Sequence, residues 1–175
     1  MKMAAKFSPD MVFRYRLDRE WGSGPRLGIC MLNPSTADEF KDDRTIAKCV
    51  KRAQASAFGS LTVVNLYAYR ATDPKELWYR WAICKEIIGP DNDHFIREAA
   101  EKCDRFMVGW GATIVKGTGH TIPHNRDFRV LSIIREAQKK PLLCLGITKY
   151  GFPRHPLYIA DALDFEDYIG WKHGA

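Results

Sequence analysis

The sequence predicts an α/β fold: a mainly parallel sheet covered on both faces by helices. Three observations carry that expectation. Segments of strand character alternate with segments of helical period, the pattern of parallel strands joined by helical crossovers. Three short, mostly apolar runs, residues 27–32, 62–66 and 142–145, read as buried central strands. Each passes directly into a polar loop, and ligands of open α/β sheets sit at the carboxyl ends of strands.

The elements follow in order. Residues 12–17 alternate apolar and basic side chains, which predicts a half-exposed strand at a sheet edge. Residues 22–25, Gly-Ser-Gly-Pro, are a turn, and 26–32 the first central strand. After the polar loop 33–43, residues 45–58 carry a helical apolar stripe of Ile46, Val50, Ala53 and Ala57. Asp43 or Arg44 starts that helix and Gly59 ends it. Residues 61–66, rich in β-branched side chains, form a second strand. Asp73 and Pro74 are a cap and a first helical position for a helix carrying Leu77, Trp78 and Trp81. Residues 92–103 are a helix, 105–110 a strand and 125–139 a helix with Phe128, Leu131 and Ile134 on its inner face. Residues 142–145 are the last central strand, followed by a short helix over 157–163.

Composition narrows the function. A chain of 175 residues fits a single domain over 1–175 and can bury one core. No apolar run approaches the roughly 20 residues needed to cross a bilayer. The first six residues lack the apolar core of a signal peptide, so a cytoplasmic location is expected. Five scattered cysteines without a C-x-x-C pair argue for free thiols. There is no P-loop, no G-x-S-x-G elbow and no H-x-E followed by P-C-x-x-C, so no metal and no cofactor is expected. Lys and Arg total 27 against 21 Asp and Glu, a net charge of +6, which favours a phosphate-bearing partner: DNA or a nucleotide.

The candidate site residues cluster after the strands. Asn33, Pro34, Ser35, Thr36 and Asp38 follow the first central strand. An Asn amide there can orient a water or bond a base edge, and turn N–H groups can hold phosphate. Asn65, inside a buried strand, must find partners and offers both a donor and an acceptor to a base. Arg70 follows that strand and either grips phosphate or pairs with Asp73. Trp110 ends the third strand and either stacks on a base or packs in the core. The loop holding Lys116 and His120 is basic and flexible. Lys149, Arg154 and His155 share the loop after the last strand, where an imidazole can stabilise a developing negative charge.

These words have counterparts elsewhere. Asn33-Pro-Ser-Thr-Ala-Asp38, Arg70-Ala-Thr-Asp-Pro74 and Arg154-His-Pro-Leu-Tyr158 resemble the recurring motifs of the DUF1643 family, over nearly the whole chain. Leu27-Gly-Ile-Cys-Met-Leu-Asn-Pro34, the strand with Asn65, the segment 105–113 and His155-Pro-Leu-Tyr158 also resemble, in the same order, the motifs of the uracil-DNA glycosylase superfamily. That resemblance implies a three-layer α/β/α sandwich around a mainly parallel four-stranded sheet. It also implies roles: Asn33 positions the attacking water, Asn65 reads the base, and His155 stabilises the departing anionic base. The superfamily's water-activating Asp is missing from the first motif, so Asp38 or Asp43 is expected in its place. The expected function is hydrolysis of an N-glycosidic bond to a base, standard or modified, in DNA or a nucleotide. The alternative is a binding module that keeps the pocket without hydrolysis. Transfer chemistry on a nucleotide is a third. The glycosylase expectation requires Asn33, Asn65 and His155 to face one cleft.

Overall fold

A computed structural model describes residues 1–112 and 125–170. Among them, strands β1 (Lys2–Phe7), β2 (Arg14–Glu20), β3 (Arg26–Met31), β4 (Ser60–Asn65), β5 (Arg105–Val108), β6 (Leu143–Cys144) and β7 (Glu166–Asp167) form one sheet. Its order is β1-β2-β4-β3-β5-β6-β7. The pairs β3/β4, β3/β5 and β5/β6 are parallel, whereas β1/β2, β2/β4 and β6/β7 are antiparallel.

This corrects the expected three-layer sandwich built on a mainly parallel four-stranded sheet: the sheet is mixed and has seven strands among the described residues. The missing strands have physical reasons. β1 reads Lys-Met-Ala-Ala-Lys-Phe, with no β-branched residue. It is a strand because β2 offers it an edge, and such pairing overrides weak local preference. β7 is two exposed acidic residues held by β6, next to the hydrogen bond that the Tyr168 N–H donates to the Leu142 carbonyl at 2.7 Å. Because β1 covers the outside of β2, β2 lies inside the sheet and is not the edge strand that its alternation suggests.

Four helices among the described residues pack on the sheet: α1 (Arg44–Ala55), α2 (Pro74–Cys84), α3 (Asn92–Lys102) and α4 (Arg126–Ala137). Alternate residues of the central strands divide between two cores. Ile29, Val63, Met107 and Leu145 pack with Ile46, Val50 and Ala53 of α1. Cys30, Val64, Phe106 and Val108 pack with Ile96 of α3 and with Val130 and Ile134 of α4. Each fully buried aliphatic side chain of this kind contributes about 1.5–3 kcal/mol. Phe128 stands apart from the expected inner face of α4, being 44% exposed; Val130, Leu131, Ile133 and Ile134 fill that face instead.

Helix starts follow the capping chemistry. The Asp43 carboxylate accepts the Ile46 N–H at 2.9 Å and caps α1. Asp73 and Glu76 form a reciprocal capping box at α2. α1 stops at Ala55, before the expected residue 58, and the chain then turns so that Gly59 passes Gly24. A Cβ on Gly59 would lie 2.2 Å from the Gly24 nitrogen, so only glycine fits. In place of the expected helix over 157–163 there is a single 3₁₀ turn, Pro156–Tyr158. The Lys116/His120 loop lies outside the described residues. Among the described residues no helix is long and apolar enough to cross a membrane.

Candidate functional site: a cavity at the carboxyl edge of the sheet

Parallel pairing places the carboxyl ends of β3, β5 and β6 on one edge of the sheet. They open into a cavity of about 830 Å³, within the range of small-ligand sites. The loop after β3 supplies Asn33, Ser35, Thr36 and Asp43. The first turn of α1 adds Arg44 and Thr45, the end of β5 adds Trp110 and Gly111, and the last loop adds Thr148, Arg154, His155 and Tyr158. The charged lining residues are Arg14, Lys41, Arg44 and Arg154 against Asp42 and Asp43. Four cations to two carboxylates favour an anionic ligand.

Two neutral groups in the wall have fixed polarity. The Asn33 amide nitrogen donates to the Pro34 carbonyl at 2.9 Å and to the Ala71 carbonyl at 2.8 Å. Both amide hydrogens are thereby used, and Oδ1 keeps its acceptor capacity free. His155 behaves in the opposite sense. Burial pushes its pKa down to about 4, against the opposing pull of Asp43, so the ring is neutral at pH 7. Its Nδ1 accepts the Leu157 N–H at 3.3 Å, which leaves the proton on Nε2. In the cavity wall Asn33 Oδ1 is therefore fixed as an acceptor and His155 Nε2–H as a donor.

Local geometry holds His155 in place. The Gly111 N–H donates to the Pro153 carbonyl at 2.8 Å, and the Arg154 N–H to the Gly146 carbonyl at 2.9 Å, tying the last loop to the end of β5 and to itself. Gly111 has φ +76°, a left-handed conformation that favours glycine beside the His155 side chain.

The family model described as "Protein of unknown function (DUF1643)" matches residues 14–157. The chain belongs to the DUF1643 family. No curated protein and no solved structure matches it. The family match concerns DUF1643 alone; the likeness to uracil-DNA glycosylases rests on the quoted motifs.

In this DUF1643 protein the expected site residues separate into two groups. Asn33, Ser35, Thr36, Asp43, Trp110, Arg154 and His155 line the cavity. Pro34, Asp38, Asn65, Arg70 and Lys149 do not. Asp38 is a turn residue: its Oδ1 accepts the N–H groups of Phe40 and Lys41, each at 2.8 Å, and these bonds hold its carboxyl below the usual range. The Pro34 carbonyl serves structure, accepting from Asn33 and from the Ala71 N–H. Arg70 neither pairs with Asp73 nor enters the cavity; its guanidinium lies 4.9 Å from the Phe7 ring centre and donates to the Met11 carbonyl. Lys149 lies 5.3 Å from the Tyr150 ring centre. Asn65 is 1% exposed, and its Nδ2 has no hydrogen-bond partner among the described residues. Its register partner Met31 reaches the cavity, whereas Asn65 does not. Of the three residues required to face one cleft, Asn33 and His155 do.

Trp110 is 1% exposed and meets Tyr168 edge-on, so it packs in the core and shows the cavity little of its ring. The exposed aromatic at the wall is Tyr158, 82% exposed, with its ring centre 5.8 Å from that of His155. Sequence reasoning missed Tyr158 as a site residue, although it sits in the quoted His-Pro-Leu-Tyr word. It also missed Arg14, which is 2% exposed and lines the cavity. Nothing in an alternating strand distinguishes an inward Arg from an outward one.

Burial pushes the Cys30 and Cys49 thiols up to about 12, so neither is a thiolate nucleophile at neutral pH. Among the described residues no group of three His, Cys, Asp or Glu side chains is placed to hold a metal.

Proposed function

We propose that the cavity binds a nucleobase-bearing phosphate compound, with Asn33 Oδ1 and His155 Nε2–H reading the base edge. The observation that supports this reading is the acceptor–donor pair fixed by its own hydrogen bonds in one anion-favouring cavity. A base with adjacent ring N–H and carbonyl groups presents the complementary pair. Tyr158, exposed at the same wall, suits the face of such a base. A cytoplasmic location and a nucleic-acid or nucleotide partner belong to the same reading. Titration calorimetry with the common nucleosides and their monophosphates tests it. Saturable binding weakened at least tenfold by Asn33→Leu or His155→Phe is expected; equal affinity in both variants would sink the reading.

Hydrolysis of the N-glycosidic bond is the second reading. Asp43 favours it, since its carboxylate lines the cavity and acts electrostatically on His155. In that chemistry Asp43 would draw a proton from water placed by Asn33 as the water oxygen replaces the base on the sugar. The neutral His155 would keep its proton and donate a hydrogen bond from Nε2–H to the base leaving as an anion. Two facts place it second: Asn65 is absent from the wall, and Asp43 Oδ1 already caps α1. Asn also caps helices, so Asp43→Asn keeps the fold and removes the base. Release of free base from a bound nucleotide or oligonucleotide, lost in Asp43→Asn, would establish hydrolysis; no release from any bound compound would exclude it.

A further inference from the structure

Arg14 is buried at the cavity and forms no ion pair among the described residues. Only 2% of it is exposed. Nη1 donates to the Ala37 carbonyl at 2.7 Å. Nε is buried with no partner, and no described group accepts from Nη2. The surrounding charges oppose one another: Asp43 and Asp38 attract the guanidinium, while Arg70 and Arg19 repel it. A buried cation in this state is costly unless something anionic completes it.

The other groups at this wall suit the same anion. The first turn of α1, at Arg44 and Thr45, lines the cavity, and its leading N–H groups cannot bond within the helix. The hydroxyls of Ser35 and Thr36 also line it and make no hydrogen bond among the described residues. A guanidinium fork, helix N–H groups and hydroxyls together are chemistry for phosphate oxygens.

Resting on the base-binding reading above, we infer that Arg14 and the start of α1 seat a terminal phosphate monoester, so that the ligand is a free mononucleotide and not an internal stretch of DNA. Depth decides between the two. An internal phosphodiester carries a nucleotide on each side, and drawing it to a residue 2% exposed would bury both neighbours. A terminal phosphate enters alone.

Calorimetry on the full chain with matched nucleosides, their 5′-monophosphates, a short single strand and inorganic phosphate tests the assignment. For the nucleoside that binds best, the 5′-monophosphate should bind about ten- to a hundredfold tighter, the scale of added charge-assisted hydrogen bonds. Arg14→Met should erase that gain and leave nucleoside affinity in place. Arg14→Lys keeps the charge without the fork and should retain only part of it. If Arg14→Met does not fold, Arg14→Lys decides, because an undiminished gain there removes the fork from the site. Nucleosides that bind with no gain from the phosphate would overturn this inference and leave the base-binding reading standing. So would a single strand that binds as tightly as the monophosphate. Arg14-dependent binding of inorganic phosphate without any nucleoside binding would overturn the base-binding reading and the mononucleotide with it, leaving Arg14 as a phosphate seat alone. No binding of any probe would overturn both.

Discussion

Arg14 and Arg19 lie on the same strand, β2, and both are buried, at 2% and 0% exposure. Their surroundings differ in one respect. Arg19 is completed by protein: Nε pairs with Asp42 at 2.7 Å, Nη1 donates to the Asp18 carbonyl at 2.8 Å, and Nη2 donates to the Asp38 carbonyl at 2.6 Å. Arg14 has one such partner, Ala37, and opens on the cavity. Burial alone therefore does not mark a functional residue. What marks it is hydrogen-bonding capacity left unused beside a space that a ligand can fill. Arg19 pins the loop 38–42 to the sheet, and Arg14 waits at the wall which that loop helps to build.

The largest expected effect tests the Arg19 half of the comparison. Arg19→Met strands the Asp42 carboxylate and two carbonyls, and chemical denaturation should show a loss of about 3–5 kcal/mol. Arg14→Met removes one hydrogen bond and an uncompensated charge, and the same experiment should show a loss of about 1 kcal/mol or less. Equal losses would mean that Arg14 is structural too.

His155 belongs with Arg14, as a second group held ready at the cavity, although it is half-buried where Arg14 is buried. Its pKa is lowered from 6.5 to about 4, so between these values the unfolded chain binds a proton that the folded chain refuses. Stability from this source is complete above about pH 6.5 and falls as pH drops toward 4, by as much as about 3 kcal/mol. Denaturation midpoints across that window should fall with acid in the parent protein and flatten in His155→Gln. An unchanged slope in the variant would assign the acid sensitivity to other groups.

Asp43 mixes the two classes, capping α1 with one oxygen and facing the cavity. Asp43→Ala should cost about 1 kcal/mol, while Asp43→Asn should leave the melting temperature nearly unchanged. The smallest stability effect is expected at Tyr158. Its ring is largely exposed, so Tyr158→Ala should stay within about 0.5 kcal/mol and instead weaken nucleoside binding. A large stability loss with unchanged binding would make Tyr158 a packing residue.

Much of this molecule was legible in its residues, for local reasons. Asp73 caps the helix it was expected to cap, and Asp43, one of the two residues expected to start α1, caps that helix, because capping is chemistry within a few positions. Residues 27–32, 62–66 and 142–145 carry central strands, because burial on both faces demands apolar runs. Asn33 and His155 meet in one cavity because both follow strands whose ends share an edge. What escaped depends on distant partners. β1 and β7 exist through pairing with β2 and β6 and carry little signal of their own. The burial of Arg14 follows from the loop over Ala37, twenty-three residues away. Asn65 has the right residue type but stops short of the wall that its neighbour Met31 reaches.

A crystal structure with the tightest-binding nucleoside 5′-monophosphate tests the central claim most directly. The account predicts the base edge against Asn33 Oδ1 and His155 Nε2, with the phosphate on Arg14 and the first turn of α1. A ligand bound outside this cavity, or inside it with its base away from both Asn33 and His155, would contradict it.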